Sequence, residues 1–139
     1  RLEGSFSHAF YLASPHIAAS RPGRFDEALY RAFKAFYVDP LETVIDRFAT
    51  VAAHDAVFVY VSSVYVEDTP AGFEEYANAK REGEATAEMF CRSYGIRYRR
   101  WRPPQLLTDQ TAGYLNSDAP NTGQIVADFL RRLTETESR

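Results

Sequence analysis

The pattern of apolar positions changes its period several times along the chain, and each change predicts a different element. Five consecutive apolar or aromatic residues, Val57 to Val61, precede Ser62 and Ser63. A short continuous apolar run is typical of a strand that is buried on both faces of a sheet. A second run, Ala9 to Ala13, is closed by Pro15 and predicts another strand.

Four other segments repeat their apolar residues at the spacing of an amphipathic helix. Asp26 can cap the first of these helices, and Pro40 can begin the second. The third opens near Phe73 and ends at Gly95. The fourth begins after Asn121 or Thr122. A further strand, Ile96 to Arg102, lies between the last two helices.

The elements therefore follow the order β-α-α-β-α-β-α, which predicts an α/β protein with a parallel sheet and helices on its faces. The 139 residues suffice for one domain, which we place at residues 8–133. Residues 1–7 are expected to be a linker or a cut edge, and residues 134–139 a flexible tail.

Composition narrows the class of partner. The net charge of −3 gives no general reason to expect a nucleic-acid or membrane partner, and no apolar run is long enough to cross a bilayer. The cationic segment IRYRRWR is a weaker indication of nucleic-acid binding. The single cysteine, Cys91, fits a buried apolar role in a reducing, cytoplasmic setting. The three histidines do not have metal-ligand spacing, so no metal site is predicted.

Candidate chemistry lies where the Val57 to Val61 strand ends, because ligands of open α/β sheets bind at the carboxyl ends of the strands. Ser63 follows this strand. Tyr76 and Lys80 are four residues apart, so a helix places them on one face. Ser62 is the alternative serine, since alternation along a strand points the two hydroxyls to opposite faces. No G-x-S-x-G motif surrounds either serine, which argues against a serine hydrolase.

This set resembles the Ser…Tyr-X-X-X-Lys motif of the short-chain dehydrogenase/reductase superfamily. VFVYVSS resembles the strand that carries the catalytic serine of that family, and Tyr94-Gly95-Ile96 with Arg102-Pro103 resembles a passage after its catalytic helix. AFYLASP resembles the fourth strand, which ends beside the cofactor. The resemblance implies a Rossmann-like doubly wound parallel sheet, of which this chain holds only the second half.

The resemblance also implies a mechanism with NADP or NAD as cofactor. Tyr76 would exchange a proton with a carbonyl or alcohol substrate, and Ser63 would bind the same oxygen. Lys80 would lower the pKa of Tyr76 and bind the nicotinamide ribose. Further cofactor contacts are expected at three positions, Ala13, Pro103 and Thr108, with Thr111 as another possibility.

The chain also departs from the family pattern. Its glycines stand singly, so the glycine-rich turn that holds the pyrophosphate is absent along with the first βαβ unit. Val38 or Asp39 stands where many members carry a proton-relaying asparagine, and Pro104 replaces a glycine. Either the chain is a fragment of a longer enzyme, or another polypeptide supplies the missing strands, or the domain is a non-catalytic scaffold.

Three further expectations follow. Glu84 resembles a glutamate of the extended, epimerase- or dehydratase-like branch, which is an alternative to the carbonyl reductase interpretation. The unpaired edge of the first strand predicts pairing with the missing half. By analogy with the family, the two helices that carry Leu41 and Tyr76 predict a homodimer.

Overall fold

The computed structural model describes residues 3–104 and 122–137. Its elements follow the predicted order β-α-α-β-α-β-α, with one short 3-10 helix inserted after the second strand. They are β1 (Phe6–Tyr11), α1 (Glu27–Tyr37), α2 (Leu41–Ala49), β2 (Ala52–Val61), the 3-10 helix (Val64–Val66), α3 (Glu74–Ser93), β3 (Arg97–Trp101) and α4 (Thr122–Glu137). The predicted fold class, a partial Rossmann-like α/β arrangement, is confirmed.

The three strands form one parallel sheet in the order β1-β2-β3. β2 is the central strand, with Tyr60 opposite Tyr11 on one side and opposite Arg100 on the other. Residues 56–60 of β2 are all buried, as the continuous apolar run predicted. All three strands therefore present their carboxyl ends at the same edge of the sheet, where the candidate residues lie.

Two elements extend beyond the boundaries expected from the sequence. β1 begins at Phe6, inside the segment 1–7 that was predicted to be a linker, and the Phe6 amide donates a hydrogen bond to the Val51 carbonyl (2.9 Å). At the other end of the chain, α4 continues to Glu137, inside the predicted tail. Neither extension continues the apolar pattern of its element, and backbone pairing does not require that pattern.

Two hydrophobic clusters of buried residues lie within the first 102 positions. In the larger one, Leu41 and Ile45 of α2 and Phe58 of β2 pack with Cys91 of α3. Burial raises the pKa of the Cys91 thiol to about 12, which confirms its role as a small buried apolar residue. The smaller cluster joins α1 to α3 through aromatic rings and contains Tyr76.

Gly83 allows α3 to approach the sheet closely. A Cβ atom at this position would lie 2.0 Å from the Tyr60 hydroxyl oxygen and 2.5 Å from the Tyr37 carbonyl oxygen. The Tyr60 hydroxyl donates a hydrogen bond to that carbonyl (3.1 Å), so these groups occupy the space that a larger side chain needs. This approach brings Lys80, one turn earlier on α3, against the carboxyl end of β2.

The chain divides into two compact units, Arg1–Arg102 and Pro103–Arg139. The sheet, its first three helices and the candidate site lie in the first unit, and α4 lies in the second. Within the described ranges, no helix combines the length and the apolar character that a membrane span requires.

Candidate active site

Ser62 and Ser63 leave the end of β2 in different surroundings. The Ser62 amide donates to the Trp101 carbonyl (2.7 Å) and continues the ladder with β3. Its hydroxyl is buried and completes no hydrogen bond, although it lies near enough to Glu84 to favour the charged carboxylate. Ser63 is extended, and its hydroxyl accepts a hydrogen bond from the Tyr65 amide (3.2 Å) at the start of the 3-10 helix.

Tyr76 is held in the first turn of α3 by an aromatic cluster. Its ring meets those of Phe33, Tyr37 and Tyr65 edge to face, with centroids 5.6, 5.7 and 6.0 Å away. The Ser63 hydroxyl lies close enough to the phenol to act on its pKa. Burial raises the pKa of Tyr76, and the hydrogen bond from Ser63 opposes that change only in part. The structure thus brings Ser63 and Tyr76 together.

Lys80 lies one turn further along α3 with its ammonium group buried. Its Nζ donates a hydrogen bond to the Val61 carbonyl (2.9 Å), at the last residue of β2. The same atom lies 3.8 Å from the centroid of the Tyr37 ring and 5.4 Å from that of Tyr60. Burial lowers the pKa of Lys80 to about 7, although the nearby charge of Glu84 acts in the opposite direction.

The expected effect of Lys80 on Tyr76 is wrong in this structure. Burial and Tyr65 raise the pKa of Tyr76 and Ser63 lowers it, and the net shift is upward. Lys80 instead directs its ammonium group to the Val61 carbonyl and to an aromatic ring. Helical spacing placed the two side chains on one face of α3, but it did not determine where the ends of these side chains point.

Sequence reasoning missed the role of Glu84 and Arg102. The Arg102 guanidinium donates two hydrogen bonds to the Glu84 carboxylate (2.7 and 2.5 Å) and another to Glu67. Burial raises the pKa of Glu84, but the hydrogen bonds and charge of Arg102 outweigh it, so the carboxylate stays ionised. The unusually cationic strand was the signal, because such a strand needs carboxylates in the element that packs on it.

Glu75 is a second buried carboxylate that the sequence did not reveal. It is fully buried, and it accepts hydrogen bonds from the Asp26 amide (2.5 Å) and the Ser20 hydroxyl (2.8 Å). The Ser20 amide also donates to the Gly72 carbonyl (2.8 Å). These contacts fasten the loop that follows β1 to the start of α3, next to Tyr76.

The positions of the predicted cofactor contacts lie in different parts of the chain. Ala13 is exposed and lies two residues beyond β1, at the same sheet edge as Ser63. Pro103 belongs to the second unit. Thr108 and Thr111 lie outside the described residues. The contacts expected at these positions stay predictions.

The residues that stand in place of the family's relay asparagine lie at the end of α1. Val38 ends α1 and is buried, and Asp39 follows it. The residue of this segment whose side chain reaches Lys80 is Tyr37, one position earlier. Across residues 3–104 and 122–137, no group of three or more His, Cys, Asp or Glu side chains could hold a metal ion.

Several solved structures with a similar fold are oxidoreductases that share little sequence identity with this chain. FolM alternative dihydrofolate reductase 1 from Brucella canis, complexed with NADP, has a TM-score of 0.70 and 16% identity over 98% of this chain. A short-chain type dehydrogenase/reductase from Mycobacterium ulcerans has a TM-score of 0.68 and 19% identity over 79% of this chain. A 7α-hydroxysteroid dehydrogenase, complexed with NADH and 7-oxo glycochenodeoxycholic acid, has a TM-score of 0.67 and 16% identity over 82%.

This chain spans only part of each of those proteins. It covers 59% of the Brucella canis chain, 42% of the Mycobacterium ulcerans chain and 46% of the hydroxysteroid dehydrogenase. No protein-family profile and no curated protein matches the sequence. The structural likeness therefore establishes the fold, and the chemistry rests on the residues of the site.

Proposed function

The chain has a partial short-chain dehydrogenase/reductase-like fold, and from this premise we propose that it supplies the substrate side of an NAD(P)-dependent ketoreductase. One observation carries the proposal. Ser63 and Tyr76 meet at the carboxyl end of the central strand of a parallel sheet, and Lys80 contacts the last carbonyl of that strand. This is the edge at which open α/β sheets bind their ligands.

In this proposal, Tyr76 is the proton donor for a carbonyl oxygen. The phenol is protonated near neutral pH, as donation to a carbonyl oxygen requires, although its raised pKa makes it a weaker acid than a free tyrosine. Ser63 donates a hydrogen bond to the same oxygen and stabilises the negative charge that develops there. The substrate is a small-molecule carbonyl or alcohol.

A bound nicotinamide would supply the hydride, and Lys80 is the residue of this chain that fits it. An ammonium group has three donors, of which the Val61 carbonyl takes one. The remaining donors suit the ribose hydroxyls of the nucleotide. Another part of the protein would have to bind the pyrophosphate of the cofactor. The glycines of this chain stand singly and do not form a glycine-rich phosphate-binding loop. NADP and NAD both remain part of the proposal.

The open edge of the sheet supports pairing with further strands. Within the described residues, β1 pairs only with β2. Phe6 and Phe10 of β1 are 41% and 40% exposed, and Leu12, just after the strand, is 67% exposed. Strands with such exposed apolar edges are normally covered. We propose that the cofactor-binding strands pair with this edge, from the same or from another polypeptide, and that the assembled domain forms a cytoplasmic homodimer.

A non-catalytic scaffold is the second candidate function. It is favoured by the position of Lys80, whose ammonium group binds Val61 and Tyr37 and does not act on the pKa of Tyr76. The epimerase- or dehydratase-like alternative, based on the resemblance of Glu84, stays a prediction; both oxygens of Glu84 accept hydrogen bonds from Arg102.

The test uses the longest natural polypeptide that contains these residues. We expect it to bind NADPH or NADH and to reduce a carbonyl panel. Ser63→Ala should lower turnover about a hundredfold, while the neighbouring Ser62→Ala should change it only a few-fold. If the unmodified polypeptide and both serine variants bind the cofactor but none of them reduces a carbonyl, the result would support the scaffold. Equal effects of the two serine variants would contradict the role given to Ser63.

A further inference from the structure

Tyr37 is the residue that contacts both Tyr76 and Lys80. Its ring is fully buried, and its centroid lies 3.8 Å from the Lys80 ammonium nitrogen. The same ring meets the Tyr76 ring at 81°, with the centroids 5.7 Å apart. An aromatic ring attracts a cation at its face and a second ring through edge-to-face contact. Tyr37 can therefore hold both groups at once.

Tyr37 is itself fixed by hydrogen bonds to its hydroxyl and to its backbone carbonyl. Its hydroxyl is hydrogen bonded to the Ser14 hydroxyl (3.0 Å), in the loop after β1. Its carbonyl accepts the hydrogen bond from the Tyr60 hydroxyl (3.1 Å), beneath Gly83. A ring held by α1, β2 and the β1 loop makes a rigid support for the side chains of α3.

The other groups around Lys80 cannot replace this ring. The Val61 carbonyl accepts one hydrogen bond, and Tyr60 lies further away, at 5.4 Å. Among the described residues, Glu84 is the carboxylate whose charge acts on the ammonium group, and its oxygens are bound by Arg102. Two groups that favour the charged amine therefore lie close to Lys80. They are the Val61 carbonyl and the face of the Tyr37 ring.

We propose that Tyr37 is a positioning residue whose ring fixes the Lys80 ammonium group and the Tyr76 ring relative to one another. This inference rests on the proposed function, since it assigns the two held side chains to the reaction. It predicts that the electron density of the Tyr37 ring face, and not only its shape, determines the properties of Lys80.

The experiment changes the electronics of the ring while keeping its shape. In the longest natural polypeptide, Tyr37 is replaced by phenylalanine and by pentafluorophenylalanine, and the pKa of Lys80 is measured by NMR of 15N-labelled lysine. Lys80→Arg identifies the signal. Ser14→Ala is the matched control, because it removes the Tyr37 hydroxyl contact without touching the ring.

We expect Tyr37→Phe and Ser14→Ala to leave the pKa of Lys80 nearly unchanged. The fluorinated ring should lower it by about one unit, because fluorination removes the negative face that attracts the ammonium group. An unchanged or raised pKa in the fluorinated protein would overturn the inference. The titration needs neither cofactor nor turnover, so its failure is distinct from a failure of the proposed function.

Discussion

Lys34 and Lys80 are the two lysines of the sequence, and the structure gives their ammonium groups opposite surroundings. Lys34 lies on α1 with 29% of its side chain exposed, and its Nζ is 2.5 Å from a carboxylate oxygen of Glu82. That hydrogen bond raises the pKa of Lys34. Lys80 lies between aromatic rings and a backbone carbonyl, and burial lowers its pKa to about 7.

The comparison shows how one residue type serves two purposes across the same pair of helices. The Lys34–Glu82 contact joins α1 to α3 at the surface, where both charges stay hydrated and contribute little free energy. Lys80 joins the same helices in the interior, where Tyr37 replaces the carboxylate as its partner. A buried amine that can gain or lose its proton near neutral pH is suited to a reaction, and a permanently paired surface amine is not.

The largest expected effect on stability comes from filling the space next to Gly83, where α3 approaches the sheet. Gly83→Ala should reduce the free energy of unfolding by about 3 kcal/mol or more, because its methyl group overlaps the Tyr60 hydroxyl. Glu88→Ala, at an exposed position of the same helix, should change it by less than about 0.5 kcal/mol. Urea unfolding of both variants measures the difference. Equal stability of the two would show that α3 does not pack as closely as described.

The two lysines should differ strongly in their effect on turnover. Lys80→Met should lower kcat/KM for carbonyl reduction about a hundredfold or more, because it removes the amine from the site. Lys34→Met should leave kcat/KM within about twofold, since Lys34 contacts Glu82 and not the site. Steady-state kinetics of the longest natural polypeptide checks both values. Similar losses would remove the functional distinction between the lysines.

Variants of the two lysines should also differ in how their free energy of unfolding depends on pH. The ordinary pKa of lysine is 10.5 and that of folded Lys80 is about 7, so the unfolded chain holds this proton more tightly. The free energy of unfolding should therefore rise as the pH increases from about 7 to about 10. Lys80→Met should flatten the rise, and Lys34→Met should not. Thermal unfolding across this pH range tests it, and an unaffected slope in Lys80→Met would contradict the lowered pKa.

The smallest effect is expected at the surface pair. Glu82→Gln should reduce the free energy of unfolding by about 0.5 kcal/mol, and less in high salt, because a hydrated ion pair is weak and screened. Urea unfolding at low and high salt checks this value. A loss comparable to that of Gly83→Ala would mean that the surface contact, and not the interior, holds α1 to α3.

The fold could be predicted from local signals in the sequence, but the candidate site could be predicted only in part. The continuous apolar run before Ser62 identified the central strand, and the spacing of Tyr76 and Lys80 placed them on one helix. The path of the Lys80 side chain could not be predicted, because its partner Tyr37 comes from another helix 43 positions earlier. No local pattern reports a contact made by the folded arrangement of α1, β2 and α3.

The same limit explains the two buried carboxylates. Glu75 and Glu84 are polar residues in a helix with many charged positions, and such residues are normally exposed. They are buried because Ser20, Asp26 and Arg102, which are distant in sequence, satisfy their oxygens. Sequence spacing alone can identify candidate residues for chemistry, but tertiary contacts decide which of them are buried and which groups bind them.

The most direct test of the central claim is deuteride transfer from NADPH or NADH labelled at the nicotinamide C4 position. The longest natural polypeptide that contains this chain should move the deuterium to the carbonyl carbon of its substrate. Tyr76→Phe should bind the same cofactor but transfer the label at least about a hundredfold more slowly, because the proton donor is gone. Transfer at an undiminished rate by Tyr76→Phe would contradict the catalytic role of the Ser63, Tyr76 and Lys80 site.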